Sequence, residues 1–190
     1  CYPTSIQIPL IPLFKKKLIH FKNITIDSKS GYSGAGKNYK KKFNFKNFDS
    51  STFAYSVTNH RHVAEIDQEF KKISKNIYFT FNPHLIPSFR GILSSIYINK
   101  KNQVKLITII NTLKSYYKNN YFIKINKANT QMGTGNVIKT NYCEISVCET
   151  RIKDKIVIFS AIDNLIKGAA GQAVQNMNIL YKFKETLGLK

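Results

Sequence analysis

Cys1 stands ahead of Tyr2, Pro3 and Thr4, with an apolar run following. A proline at that distance suits the first turn of a helix. A helix N-terminus carries partial positive charge and free backbone N–H groups, and both favour the thiolate, the nucleophilic form of cysteine. The same N–H groups suit the oxyanion of a tetrahedral intermediate. The competing reading is an ordinary cysteine at the point where the chain begins. A second chemical cluster is NHRHVAEI, residues 59–66, where two histidines flank an arginine just before a helical pattern. Histidine exchanges protons near neutral pH, so His60 and His62 are candidates for general acid/base work. In an extended segment they point to opposite sides, one free to face Cys1. Glu65, three residues after His62, is placed to cap the helix or to orient an imidazole. A surface histidine pair is the plainer alternative.

Three further segments offer binding groups. SGYSGAGK, 30–37, supplies glycines, hydroxyls and Lys37, a composition that wraps an anion with backbone N–H groups and that also makes ordinary turns. It lacks the GxxxxGK[ST] spelling of a nucleotide-phosphate loop. Arg90 sits among apolar neighbours in PHLIPSFRG, where arginine either grips a carboxylate or phosphate two-pronged or makes a structural ion pair. DNLIKGAAGQAVQNMN, 163–178, joins a polar turn to a Gly-Ala-Ala-Gly step and a helix. Small residues there allow either a cofactor or a neighbouring element to approach the backbone. The remaining cysteines, Cys143 and Cys148, lie in an alternating run with no CxxC spacing, which reads as strand packing rather than a zinc site or a disulfide framework.

These residues need elements to position them. Residues 1–18 read as a short apolar helix that Pro9 and Pro12 keep from running longer. Residues 20–27 alternate as a strand, and a glycine-rich loop occupies 28–37. The run 37–48, rich in Lys, Asn and aromatics, has no clear pattern. Residues 62–73 carry Val63, Ile66, Phe70 and Ile73 at helical steps. Strands are expected at 76–82 and 91–99, a helix at 103–116 with Val104, Ile107, Ile110 and Leu113 on one face, and a strand at 121–125. Further strands follow near 137–148 and 155–162. A last helix is expected after Gly168, running toward Thr186, with Gly188 as its stop. That order makes an α+β or α/β domain with a mixed sheet.

Composition sets the boundaries. The chain has 190 residues, 43% of them hydrophobic, enough for a core without staples. No stretch approaches the roughly 20 uncharged apolar residues of a membrane span. Net charge is +20, with 30 Lys+Arg against 10 Asp+Glu. Such a balance suits an anionic partner, but the excess is nearly all lysine accompanied by asparagine and isoleucine, which reads as compositional drift over solvated faces.

Taken in order, CYPT at 1–4, DSKSGYSGAGK at 27–37, HRHVAEI at 60–66, FNPHLIPSFRGI at 81–92, NYCEISV at 141–147 and IDNLIKGAAGQAVQNMN at 162–178 resemble the N-acetyl-gamma-glutamyl-phosphate reductases, within the aspartate-semialdehyde dehydrogenase-like superfamily. The resemblance implies an α+β fold: a mixed, largely antiparallel sheet flanked by helices, with a catalytic and dimerisation domain at 1–160. It also implies a C-terminal helix, 161–190, that packs toward a nucleotide-binding Rossmann domain mostly absent from this piece. It implies reduction of N-acetyl-glutamyl 5-phosphate with NADP(H), through a thioester on Cys1, in arginine biosynthesis. His60 or His62 would move protons, with Glu65 orienting one imidazole. Ser30, Gly31, Ser33, Gly34 and Lys37 would lie near the phosphate or acyl end, and Arg90 would hold a substrate anion. Asn164, Gly168, Gly171 and Gln172 would border the nicotinamide. No metal, no membrane and a cytoplasmic homo-dimer or homo-tetramer are expected. Ala64 stands where the family usually has proline, which removes no chemical group.

Two other readings compete. A chain opening on cysteine also suits an amino-terminal-nucleophile hydrolase, and lysines interleaved with aromatics at 37–48 suit a nucleic-acid-binding surface.

Overall fold

The computed structural model describes residues 1–36, 46–47 and 50–190. The first helix, α1 (Tyr2–Lys15), contains both Pro9 and Pro12 without ending at either. A proline inside a helix leaves the carbonyl four residues back without its donor. For Pro12 that carbonyl belongs to Ile8, and the Tyr117 hydroxyl donates to it at 2.6 Å. Tertiary structure thus supplies the bond that the sequence forbids. The buried stripe of Tyr2, Ile6, Leu10, Leu13 and Phe14 holds the helix in the core. Each such side chain contributes about 1.5–3 kcal/mol on burial.

The strands are β1 (Ile24–Gly31), β2 (Phe53–Ala54), β3 (Phe79–Ile86), β4 (Ile92–Asn99), β5 (Ile123–Ile125), β6 (Cys143–Glu149) and β7 (Lys155–Ile162). They form one sheet in the order β2-β3-β1-β4-β7-β6-β5. β1 pairs parallel with β3, and β5 parallel with β6. The other neighbours run antiparallel. The helices are α1, α2 (His62–Lys71), α3 (Leu106–Tyr116) and α4 (Gly171–Leu180). The expected mixed, largely antiparallel α+β fold is therefore the one found. α1 lies centrally on one sheet face over β4 and β7, packed against α2 and α3.

Several boundaries differ from expectation. β1 extends through Ser28, Ser30 and Gly31, which polarity and glycine assigned to a loop. The serines point inward, where small hydroxyls let α1 approach: Ser94 Oγ lies 2.8 Å from Ser5 Oγ and 2.7 Å from Ser28 Oγ. Sheet pairing overrides local propensity there. On α3, Ile107 faces solvent at 54% exposure, and the buried face is Leu106, Ile109, Ile110 and Leu113. The last helix ends at Leu180 rather than near Thr186. Asn178 pulls the chain back, its Nδ2 donating to the carbonyls of Glu185 and Leu187.

Alternation along the strands sends a second set of side chains away from the helices. Thr25, Thr80 and Tyr97 on that face are exposed, and Leu93 and Phe159 are half-buried. No helix among the described residues is long and apolar enough to cross a membrane.

Candidate active site

Cys1 is the N-cap of α1, half-buried and outside any disulfide. It borders a cavity of about 250 Å³ where three chain ends converge. The end of β1 and the following 3-10 turn (Tyr32–Ala35) supply Ser30, Gly34 and Ala35. The segment after β2 supplies Tyr55 and Ser56. The entry to α2 supplies Asn59, His60, Arg61 and His62. Two helix N-termini, those of α1 and α2, thus border the same cavity.

The two histidines lie together rather than on opposite sides. Their ring centroids are 4.9 Å apart, because the chain is already turning into α2 at Arg61. His60 is buried, edge-on to Tyr2, Tyr55 and Phe81. Its Nδ1 accepts from the His62 backbone N–H at 3.2 Å, which puts the proton of the neutral ring on Nε2. His62 Nδ1 is buried with no partner among the described residues. Burial first, then the positive charge of the Cys1 amino group, then His60 and Arg61, push its pKa down to about 3. His62 is therefore neutral at physiological pH. Tyr55 donates to the Tyr2 hydroxyl, which donates in turn to the His84 carbonyl, so the wall beside His60 is hydrogen-bonded in place. Glu65 is exposed on the first turn of α2, and its carboxylate accepts no hydrogen bond from either imidazole.

Against Cys1 packs a turn of π type, Ile166–Ala170, leading into α4. A Cβ added at Gly168 would lie 2.5 Å from the Cys1 Cβ, so only glycine lets the turn press against Cys1. The turn is pinned by Asp163, fully buried at the end of β7. One carboxylate oxygen accepts the N–H groups of Leu165 (2.8 Å) and Ile166 (3.0 Å). The other accepts the Lys139 N–H at 2.7 Å and Arg90 Nη1 at 3.2 Å. Asp163 was not among the residues expected from sequence. An aspartate directly after a buried strand and before a helix is a capping signature that would have found it. Tyr55 and Arg61 carried no such local signal.

The remaining candidates separate into groups. Asn164 donates to Ser33 Oγ at 2.9 Å and accepts the Gly91 N–H at 2.7 Å, tying the 3-10 turn to the π turn. Gly34 lies against both, its missing Cβ 3.1 Å from Ser30 Oγ and 3.4 Å from Asn164 Nδ2. Gly31 is a packing glycine, where a Cβ would lie 2.6 Å from the Phe89 carbonyl oxygen. Gly171 is likewise buried against Asn141 and Ile166. Gln172 bonds Asn176 along α4 at 2.8 Å. Arg90 is committed to Asp163 and is not among the residues that border the cavity. Lys37 and most of the 37–48 run lie outside the described residues. Among the described residues no cluster of His, Cys, Asp and Glu is arranged to hold a metal ion.

Comparison with known proteins gives this geometry a context. The family model for the semialdehyde dehydrogenase dimerisation domain matches residues 1–164. A protein of Arabidopsis thaliana named probable N-acetyl-gamma-glutamyl-phosphate reductase, chloroplastic, is 43% identical over 100% of this chain and 47% of its own length. An N-acetyl-gamma-glutamyl-phosphate reductase of Thermoanaerobacter pseudethanolicus is 42% identical over 100% of this chain and 55% of its own. The chain thus spans about half the length of the curated relatives it matches. A solved structure of a probable aspartate-semialdehyde dehydrogenase from Pseudomonas aeruginosa superposes with a TM-score of 0.74, at 15% identity, over 95% of this chain and 60% of that one.

Proposed function

The chain belongs to the semialdehyde dehydrogenase dimerisation-domain family, and on that premise we propose that it forms the cysteine-bearing half of an N-acetyl-gamma-glutamyl-phosphate reductase. The observation that carries this reading is one cavity holding Cys1 at a helix N-terminus together with His62, a neutral imidazole whose Nδ1 is unpartnered.

In this reading Cys1 is joined to a preceding half by a peptide bond, which removes the amino charge that depresses His62; His62 then takes the Cys1 proton, and the thiolate attacks the acyl carbon of N-acetyl-glutamyl 5-phosphate. The carbon–sulfur bond forms, the carbon–oxygen bond to phosphate breaks, and a thioester remains on Cys1. His60, boxed by aromatic rings, holds the His62 backbone in place. Ser30 and Gly34 border the acyl end. Glu65, exposed on the first turn of α2, acts through its field at that helix end. A nicotinamide cofactor, NADP(H) in this proposal, supplies the hydride that reduces the thioester to the semialdehyde. Exposed Ala169 and Ala170 beside Gly168 leave a side-chain-poor face next to the thiol that fits a flat ring, with Asn164 and Gln172 on the same segment. Proton return from His62 to the departing thiolate closes the cycle.

Two docking surfaces complete the proposal. The C-terminal segment, 161–190, packs toward a nucleotide-binding domain. Exposed Met177, Ile179, Leu180, Tyr181, Phe183 and Leu187 support this. The uncovered sheet face bearing Leu93, Tyr97 and Phe159 pairs with a second copy, giving a dimer or tetramer. A cytoplasmic setting belongs to the same reading, although the plant relative is named chloroplastic.

The test is turnover of the full-length polypeptide, measured as phosphate-dependent NADP+ reduction by N-acetyl-glutamate semialdehyde. Cys1→Ser is expected to abolish it, and His62→Ala to lower kcat by roughly 10²–10⁴-fold. Wild-type rates in both variants would overturn the proposal.

A further inference from the structure

The described side chains that line the cavity at Cys1 carry an arginine and no carboxylate. Of the three arginines in the chain, Arg61, Arg90 and Arg151, two are accounted for. Arg90 is held by the buried carboxylate of Asp163. Arg151 lies in the β6–β7 connection, at the opposite end of β7 from the π turn. Arg61 alone borders the cavity, between the two histidines, and it makes no ion pair with any described carboxylate. None of the described residues lining the cavity is acidic. The positive charge of Arg61 acts on Tyr55 and His62, two of the residues that line the cavity.

A guanidinium presents a planar fork of N–H donors that matches the paired oxygens of a carboxylate or a phosphoryl group. Beside a neutral histidine it is the one fixed cation among the described lining side chains. We propose that Arg61 is the substrate-anion receptor of the Cys1 cavity, gripping a carboxylate or phosphoryl oxyanion of the substrate while the thiolate attacks. This rests on the reductase reading above and deepens it. It also moves the anion-binding role from Arg90, whose Nη1 is held by Asp163 and which does not border the cavity, to the arginine inside the HRH sequence. Arg90 then acts as a tether of the π turn.

Paired alkylating reagents that differ only in charge test this on the chain itself. Rates of Cys1 alkylation by anionic iodoacetate and neutral iodoacetamide are measured by peptide mass spectrometry in the wild type, Arg61→Gln and Arg61→Lys. The iodoacetate-to-iodoacetamide ratio is expected to fall roughly tenfold in Arg61→Gln, the size of one close charge–charge contact near a protein surface. It should recover in part in Arg61→Lys, which restores the charge without the fork. Because the readout is a ratio at one thiol, a general change in cysteine reactivity cancels. Circular dichroism and a melting curve exclude an unfolded variant, and the lysine variant carries the test if the glutamine variant fails to fold.

Protection experiments then distinguish the two sources of the oxyanion. Inorganic phosphate slowing alkylation in the wild type but not in Arg61→Gln assigns the phosphoryl group. N-acetyl-glutamate doing so assigns the carboxylate. An unchanged reagent ratio in Arg61→Gln overturns the proposal while leaving the nucleophile reading intact. Equal alkylation of Cys1 and Cys148 in the wild type instead sinks the site, and the proposal with it.

Discussion

One turn, Ile166–Ala170, separates two thiol environments of opposite character. On one side Gly168 presses on Cys1, half-buried at a helix N-terminus and open to a cavity with an unpartnered histidine nitrogen. On the other side the adjacent residue, Lys167, is buried toward Cys143 in the sheet. Cys143 is fully buried, 3.5 Å from Ser160 Oγ, and burial pushes its thiol up to about 11. Lys167 donates to Gln175 Oε1 at 2.7 Å, the same oxygen that accepts from Asn141 Nδ2 at 2.8 Å. Gln175 donates in turn to Glu185 at 2.7 Å. The closed side ties Lys167, Asn141 Nδ2, Gln175 and Glu185 into a network that joins the sheet to the C-terminal tail, with Asn141 Oδ1 left without a partner among the described residues. The open side keeps a donor-rich helix end and a free acceptor. A sulfur becomes chemically useful where orphaned groups face a space large enough for a ligand, and inert where they face one another.

The largest expected effect is the difference between the sulfurs themselves. Near pH 8, Cys1 should be alkylated by iodoacetamide roughly a hundredfold faster than Cys143, since only the thiolate reacts and only Cys1 is accessible. Peptide mapping over a time course measures both at once. Comparable rates would remove the contrast altogether.

A smaller effect is expected from the turn. Gly168→Ala places a Cβ 2.5 Å from the Cys1 Cβ, a contact that forces one backbone or the other to move. Cys1 alkylation should slow by on the order of tenfold, with a stability loss of about 1–3 kcal/mol in urea unfolding. A wild-type alkylation rate in this variant would mean that the turn does not set the position of the thiol.

The smallest effect concerns the closed side. Burial pushes Lys167 down to about 8, with Cys143 and Glu185 opposing the shift. The unfolded lysine titrates near 10.4, so between about pH 8 and 10 the unfolded chain binds more protons than the folded one. Stability therefore rises with pH across that window, because the cost of keeping a buried ammonium fades as it loses its proton. Lys167→Met removes this dependence. The wild type should gain on the order of 1 kcal/mol relative to the variant between pH 8 and 10. Parallel melting-temperature profiles for the two proteins would show that Lys167 is solvated after all.

Much of the frame was legible in the residues. Helical steps of apolar side chains gave α2, and alternation gave β4 and β7, because those elements bury one face each and their spacing records it. Cys1, His60 and His62 could be nominated from residue type and position alone, since thiols at helix starts and paired imidazoles are uncommon and chemically specific. Where the sequence misled, a distant partner had overruled a local rule. Pro12 did not end α1, because Tyr117, more than a hundred residues away, satisfies the freed carbonyl. Ser28 and Ser30 did not form a loop, because Ser94 and its strand hold them in the sheet.

What the sequence determined by itself was therefore a list of chemical groups and the periodicity of the elements that bear them. Tertiary structure alone decided which groups meet. Asp163 selects Arg90 and leaves Arg61 to the cavity; both are arginines among polar and apolar neighbours, and only the buried carboxylate tells them apart. It likewise decided that Gly168 abuts Cys1 across the length of the chain while Gly171 packs on Asn141. The physical reason is that hydrogen-bond saturation and close packing are pairwise properties. A residue's type fixes what it can offer, and its neighbours in space fix whether that offer is already taken.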